Sequence, residues 1–186
     1  MTHDALIEHG AEWLRNRGCS VVITDMTHSG SETPDCIGWK ERRSILIEVK
    51  VSRADFLKDK KKPFRMSPDQ GIGNLRYFLT PEGLVDRSEL PAGWGLLEYR
   101  EPKGRQRKAR IVPVVGGESW PSEAMLHHSN MNAERSLLIS AIRRIGQTCP
   151  EGVSVKAYTF KTQNRATLGV ALPVDDSDGS PHKPKD

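Results

Sequence analysis

Cysteine is scarce in this chain: Cys19, Cys36 and Cys149 are odd in number, scattered, and form no Cys-X-X-Cys pair. That excludes a disulfide framework and gives no support to a structural zinc site, so a reducing cytoplasm is the expected setting. Long apolar runs are missing too. No stretch approaches the ~20 residues that span a bilayer, and Met1-Thr2-His3-Asp4 lacks the pattern of a secretory leader, so no membrane partner is expected. Aromatic residues make up only 6% of the chain. Those in apolar runs, Tyr77, Phe78 and Trp94, are expected in the core rather than stacked on bases. Charge of one sign is weak as well, with a formal net charge of +4 and a pI near 9.0. Such a balance permits nucleic-acid binding without demanding it.

A length of 186 residues is ample for one domain, and a hydrophobic content of 36% with a mean hydropathy of -0.56 suits a single core with long solvated segments. Apolar periodicity predicts a first helix over 4–17, stopped by Gly18, followed by a strand over 20–24. Residues 25–33 form a Ser/Gly/Thr-rich loop, in which His28 is expected to be solvent-exposed. A second helix is expected over 53–61. Further strands are expected over 75–79, 94–99 and 111–115, and a helix from an Asn132 cap to Ile145. Val153 to Phe160 reads as one more strand and 173–186 as a disordered tail. The fold class is α/β: a mixed central sheet of about four to six strands flanked by helices. The domain expectation is 1–146 (core 4–115), a C-terminal extension over 147–172, then the tail.

The densest chemistry lies between Pro34 and Lys50. Cys36-Ile37-Gly38-Trp39 and Ser44-Ile45-Leu46-Ile47-Glu48-Val49-Lys50 read as two strands of a hairpin joined by Lys40-Glu41-Arg42-Arg43. Pairing Trp39 with Ser44 places Cys36 opposite Ile47 and Asp35 opposite Glu48. Opposed like charges are destabilising, and a divalent cation between them would remove the penalty. Strand alternation points Lys50 to the face of Glu48, while Ile45, Ile47 and Val49 take the other. Two acids and a lysine converge, in the outline of a hydrolytic metal site.

These residues resemble the PD-(D/E)XK, or restriction-endonuclease-like, nuclease superfamily: a Pro-Asp at a strand start (Pro34-Asp35), a hairpin, then Glu-X-Lys (Glu48-Val49-Lys50). The continuation Val51-Ser52-Arg53-Ala54-Asp55-Phe56-Leu57-Lys58-Asp59-Lys60 is similar to a run in MmcB-like DNA repair proteins and related phage-borne proteins. So are Gly73-Asn74-Leu75-Arg76-Tyr77-Phe78-Leu79-Thr80-Pro81 and Leu90-Pro91-Ala92-Gly93-Trp94-Gly95-Leu96-Leu97. The resemblance covers about residues 4 to 100. It implies a restriction-endonuclease-like core, DNA as substrate, and a further acid on the preceding helix, for which Glu8 is the candidate. The plainer account of Glu8, Glu12 and Arg15 is a solvated helix face with its own ion pair.

The expected activity is metal-dependent hydrolysis of DNA phosphodiesters in repair, recombination or phage DNA processing. Asp35 and Glu48 would hold Mg²⁺ or Mn²⁺ with the Val49 carbonyl, and Lys50 would orient water or stabilise developing charge. Arg53, Lys58, Lys60, Lys61, Lys62 and Arg65 would follow a phosphate backbone, as would Arg105, Arg107 and Lys108 of a basic hairpin loop. Helix ion pairs such as Asp55 with Lys58 and Asp59 with Lys62 would equally explain the lysines, and Arg53 at a helix start calls for a compensating anion. A homodimer and a repair or replication protein are compatible partners. Two other classes stay open: a catalytically silent DNA-binding or recruiting module on a nuclease fold, and a phage-type protein acting on a host enzyme.

Overall fold

The structure, a computed structural model, describes residues 1–26, 32–104, 108–117 and 122–148, all within one compact unit, Met1–Val155. Helix α1 (His3–Asn16) starts at Thr2, whose hydroxyl accepts from the Ala5 N–H, and buries Leu6, Ile7, Gly10, Ala11 and Leu14. Gly18 ends it at a φ of +86°, where a side chain would be strained. Three antiparallel strands follow: β1 (Val21–Thr24), β2 (Cys36–Lys40) and β3 (Arg43–Val49). Helices α2 (Arg53–Asp59) and α3 (Pro63–Met66) carry the chain over the sheet to β4 (Leu75–Pro81), which lies parallel to β3. Strand β5 (Trp94–Arg100) is parallel to β4, and β6 (Arg110–Val115) closes the sheet antiparallel to it, ahead of helix α4 (Met131–Thr148).

The six strands lie in sequence order in one mixed sheet. The α/β expectation therefore holds, with helices on both faces. The odd face of β3, made of Ile45, Ile47 and Val49, packs with Leu75, Tyr77 and Leu79 against Leu6, Ile7 and Leu14 of α1. The even face carries Leu46, Phe78 and Leu96 against Phe56 of α2 and Leu137 of α4. Gly10 permits the close approach of α1, since a Cβ there would stand 3.3 Å from both Cys36 Sγ and a Leu79 methyl. Burying 25 apolar side chains in two clusters, among the described residues, supplies the main driving force for this arrangement.

The hairpin register is as expected, with Trp39 opposite Ser44 and Cys36 opposite Ile47. The connection is tighter than expected. Lys40 pairs with Arg43, leaving Glu41 and Arg42 as a two-residue turn, and Glu41 adopts a φ of +54°. Helix α2 ends at Asp59 rather than Lys61, and α4 is capped by Asn130, whose side chain accepts from the Ala133 N–H, instead of by Asn132. Tyr77, Phe78 and Trp94 are core residues. No helix among the described residues is long and apolar enough to cross a membrane. His28, the strand expected over 153–160 and the tail lie outside the described residues.

Candidate active site

The site forms where β2 begins and β3 ends, roofed by α2 and α3. Asp35 precedes β2, and its Oδ2 accepts from the Val49 N–H at 2.7 Å, which ties the head of β2 to the tail of β3. Its other oxygen lies 3.7 Å from His3 Nε2 at the start of α1. Glu48 faces the α2 side of the sheet and is 1% exposed. Lys50 bridges the acids, with Nζ 3.1 Å from Glu48 Oε2 and 4.0 Å from Asp35 Oδ2. The three residues singled out in the sequence thus do converge, because strand alternation and an unslipped hairpin leave them no other face.

The sequence reading missed what surrounds them. Asp59, at the last turn of α2, is buried and stands 3.3 Å from Lys50 Nζ. Lys62 Nζ lies 2.8 Å from Asp59 Oδ1 and 3.4 Å from Glu48 Oε2. Arg65 joins Asp59 Oδ2 at 2.6 Å, Glu32 Oε1 at 2.7 Å and Glu48 Oε2 at 3.4 Å. Glu32, in the connection between β1 and β2, also accepts from the Ile72 N–H. The i,i+3 pair of Asp59 and Lys62 was legible as a helix pair. Its convergence on Glu48 was not, because that depends on how α2 crosses the sheet.

Electrostatics separate these acids. Burial and the Glu48 charge push the Asp35 carboxyl above its ordinary range, against the pull of Lys50, the Val49 N–H and His3. Burial likewise raises Glu32, with Arg65 opposing it. Burial also works against ionisation of Asp59, but Arg65, Lys50 and Lys62 together outweigh it and hold its pKa low. One oxygen of Glu48, Oε1, is buried with no hydrogen-bond partner. An orphaned carboxylate oxygen beside a second, disfavoured carboxylate suits a hard divalent cation. Among the described residues no group of three or more His, Cys, Asp and Glu forms a metal cage. Mg²⁺ is commonly held by one or two carboxylates and completes its shell with water and substrate phosphate, so Asp35 and Glu48 are the residues that could hold one.

The other candidates disperse. Glu8 is exposed and lines a groove between α1 and β1 with Glu12, Arg15 and Thr24. Among the described residues it forms no ion pair or hydrogen bond with Asp35 or Glu48; α1 reaches Asp35 through His3. Arg65 corrects the expectation of a phosphate contact. Its side chain is 2% exposed and its guanidinium lies 4.2 Å over the Trp94 ring, so it is an internal counter-ion. Arg53 has the compensating anion its position called for, in a two-pronged pair with Glu89. Lys58 and Lys61 are exposed, and Lys60 lies 5.3 Å over the Phe56 ring. Lys108 is exposed, whereas Arg105 and Arg107 fall outside the described residues.

No protein-family model matches the chain, and no curated protein matches it. A solved structure of a protein of unknown function from Silicibacter pomeroyi superposes with a TM-score of 0.51 at 21% identity, covering 84% of this chain and 99% of that one. At that identity the likeness shows the fold: the mixed α/β architecture is one that a solved protein adopts over nearly its whole length.

Proposed function

We propose that the chain is a metal-dependent deoxyribonuclease that hydrolyses phosphodiester bonds on a restriction-endonuclease-like core. The observation that carries this reading is the unpartnered, buried Glu48 Oε1 next to the raised carboxyl of Asp35. The order of elements also supports it, since Asp35 immediately precedes β2, Glu48 lies at the end of β3 and Lys50 directly follows it, as in the PD-(D/E)XK pattern quoted from the sequence. Asp35, Glu48 and the Val49 carbonyl would hold Mg²⁺ or Mn²⁺, which when bound supplies a polarised phosphoryl oxygen and a water of lowered pKa.

The chain's own groups do the remaining work. Lys50, held by Glu48 and Asp59, presents a fixed ammonium at the edge of the acids, where it can orient a water or meet charge developing on the phosphorus oxygens. Asp59 is a positioning residue for Lys50. Exposed Lys58 and Lys61 offer charge to a phosphate backbone. Repair, recombination or phage DNA processing is the proposed setting, with a homodimer or a repair protein as compatible partners.

A second reading has its own observation. Lys50, Lys62 and Arg65 already surround Glu48, so the acids persist without metal, as a silent DNA-binding module would need. Cleavage of labelled single-stranded, duplex, flapped and four-way DNA with Mg²⁺, Mn²⁺ or EDTA separates the two. Metal-dependent cutting by the wild type that is lost in Asp35→Asn and Lys50→Ala supports the nuclease. Folded protein that binds DNA equally with EDTA and cuts no substrate supports the silent module and defeats the enzymatic reading.

A further inference from the structure

The three cations around Glu48 differ sharply in their freedom. Arg65 is 2% exposed, stacked on Trp94 and paired with Asp59 and Glu32. Lys50 is 9% exposed and ringed by three acids. Lys62 is 39% exposed. It sits between α2 and α3 in extended backbone before Pro63, and its ammonium lies 5.5 Å over the Phe64 ring at the mouth of the cluster. Neither of its two partners, Glu48 Oε2 and Asp59 Oδ1, depends on it alone: Glu48 keeps Lys50 at 3.1 Å and Arg65 at 3.4 Å. Asp59 keeps Arg65 at 2.6 Å and Lys50 at 3.3 Å if Lys62 withdraws.

We infer that Lys62 is a displaceable cation of the site, holding Glu48 and Asp59 when no metal is bound and passing to a DNA phosphate when metal enters. This rests on the nuclease reading. A divalent ion on Glu48 and Asp35 would repel an ammonium that is 3.4 Å from the same carboxylate. Arg65 and Lys50 are locked by burial, so the half-solvated Lys62 is the group that can yield at low cost. An arriving phosphate then gives the released ammonium a new partner beside the metal. Lys62 therefore opposes metal alone and favours metal with substrate, which would keep the DNA-free protein poorly loaded.

The test uses Lys62→Met, which keeps an apolar stem over Phe64, with Lys40→Met at the far end of β2 as a control for net charge. Mn²⁺ affinity is measured on DNA-free protein by electron paramagnetic resonance. Affinity for labelled DNA is measured by fluorescence anisotropy with Ca²⁺ replacing Mg²⁺. Lys62→Met is expected to bind Mn²⁺ about tenfold more tightly and DNA several-fold more weakly, while Lys40→Met leaves Mn²⁺ affinity unchanged. A damaged fold would weaken both, so the opposite signs distinguish the role from lost structure. Mn²⁺ affinity equal to or weaker than wild type in Lys62→Met overturns the role of Lys62 and leaves the metal site standing. Absence of Mn²⁺ binding in wild type and variant alike overturns both.

Discussion

Two glutamates are buried against the same sheet face, and their surroundings are opposite. Glu134 of α4 is 4% exposed and accepts from neutral donors: Trp39 Nε1 at 2.9 Å, the Ser44 hydroxyl at 2.6 Å, the Gly73 N–H at 3.0 Å and the Ser129 hydroxyl. Both its oxygens are used, and the bonds tie α4 to β2, β3 and the loop before β4. Glu48 is 1% exposed, faces three cations through one oxygen, and leaves the other orphaned. Satisfied neutral donors fix a geometry. Crowded charges with an unmet oxygen cost stability and hold capacity for a ligand. Glu134 is a clamp, and Glu48 is the proposed metal ligand.

The sharpest way to break that contrast is to neutralise each acid. Glu48→Gln is expected to lower metal-dependent DNA cleavage by about 100-fold or more, roughly 3 kcal/mol of barrier, with Asp35→Asn following it. Glu134→Ala strands the Trp39 indole N–H and the Ser129 hydroxyl and takes one acceptor from the Gly73 N–H and the Ser44 hydroxyl, which keep Ser129 Oγ and Asn74 Oδ1, and is expected to cost about 3–5 kcal/mol of stability. Its cleavage per folded molecule should match wild type. Urea denaturation beside single-turnover cleavage checks both. If Glu134→Ala lost cleavage while keeping its unfolding midpoint, the division of labour would be wrong.

A smaller effect sharpens the same line without any substrate. A ligand that binds only the folded state stabilises it by mass action, about 1.4 kcal/mol at ten times its Kd, or roughly 3–6 °C in Tm for a chain of this size. Millimolar Mg²⁺ should therefore raise the Tm of wild type and of Glu134→Gln. It should leave Glu48→Gln unmoved. An equal rise in all three would place the ion elsewhere.

The contrast also explains what the sequence could tell. Asp35, Glu48 and Lys50 were legible because a hairpin fixes faces by parity, and Ile45, Ile47 and Val49 confirmed the parity in the same seven residues. Asp59, Lys62 and Arg65 were legible as charges but not as a roof. A helix face shows its spacing, yet which strand residue it covers is set by the packing of Phe56 and Phe64. Arg65 read as a surface cation because a basic run looks solvated, whereas burial over Trp94 needs a residue 29 positions away. Glu32 and His3 had no local signal at all. Glu134 passed as an ordinary acid in the first turn of α4, since three of its four donors, on Trp39, Ser44 and Gly73, come from distant segments.

The smallest expected effect is on pH, and here the two regions should fail at different acidities. His127 adjoins the clamp, its backbone N–H and C=O both bonded to Asn74, which in turn accepts from Ser44. Burial first, then the charge of Arg76, depress His127 below its ordinary value of 6.5, and the neutral ring can donate to the Gly93 carbonyl. A depressed folded pKa means that the unfolded chain binds the proton more readily. The stabilisation is then complete above 6.5 and is lost as pH falls from there through the folded value. On the Glu48 side Asp59 is also depressed, so its contribution is lost only as pH falls below 3.8. Glu32 and Asp35 are raised and act in the opposite sense, losing stability as pH rises through 4.5 and 3.8 respectively and beyond, which blunts the charged cluster's response. Between pH 7 and 5.5 the slope should therefore come from the clamp side. His127→Asn should flatten it, read as urea midpoints across that range. An unchanged slope would mean that His127 meets solvent freely when protonated and that the clamp is not the acid-sensitive half.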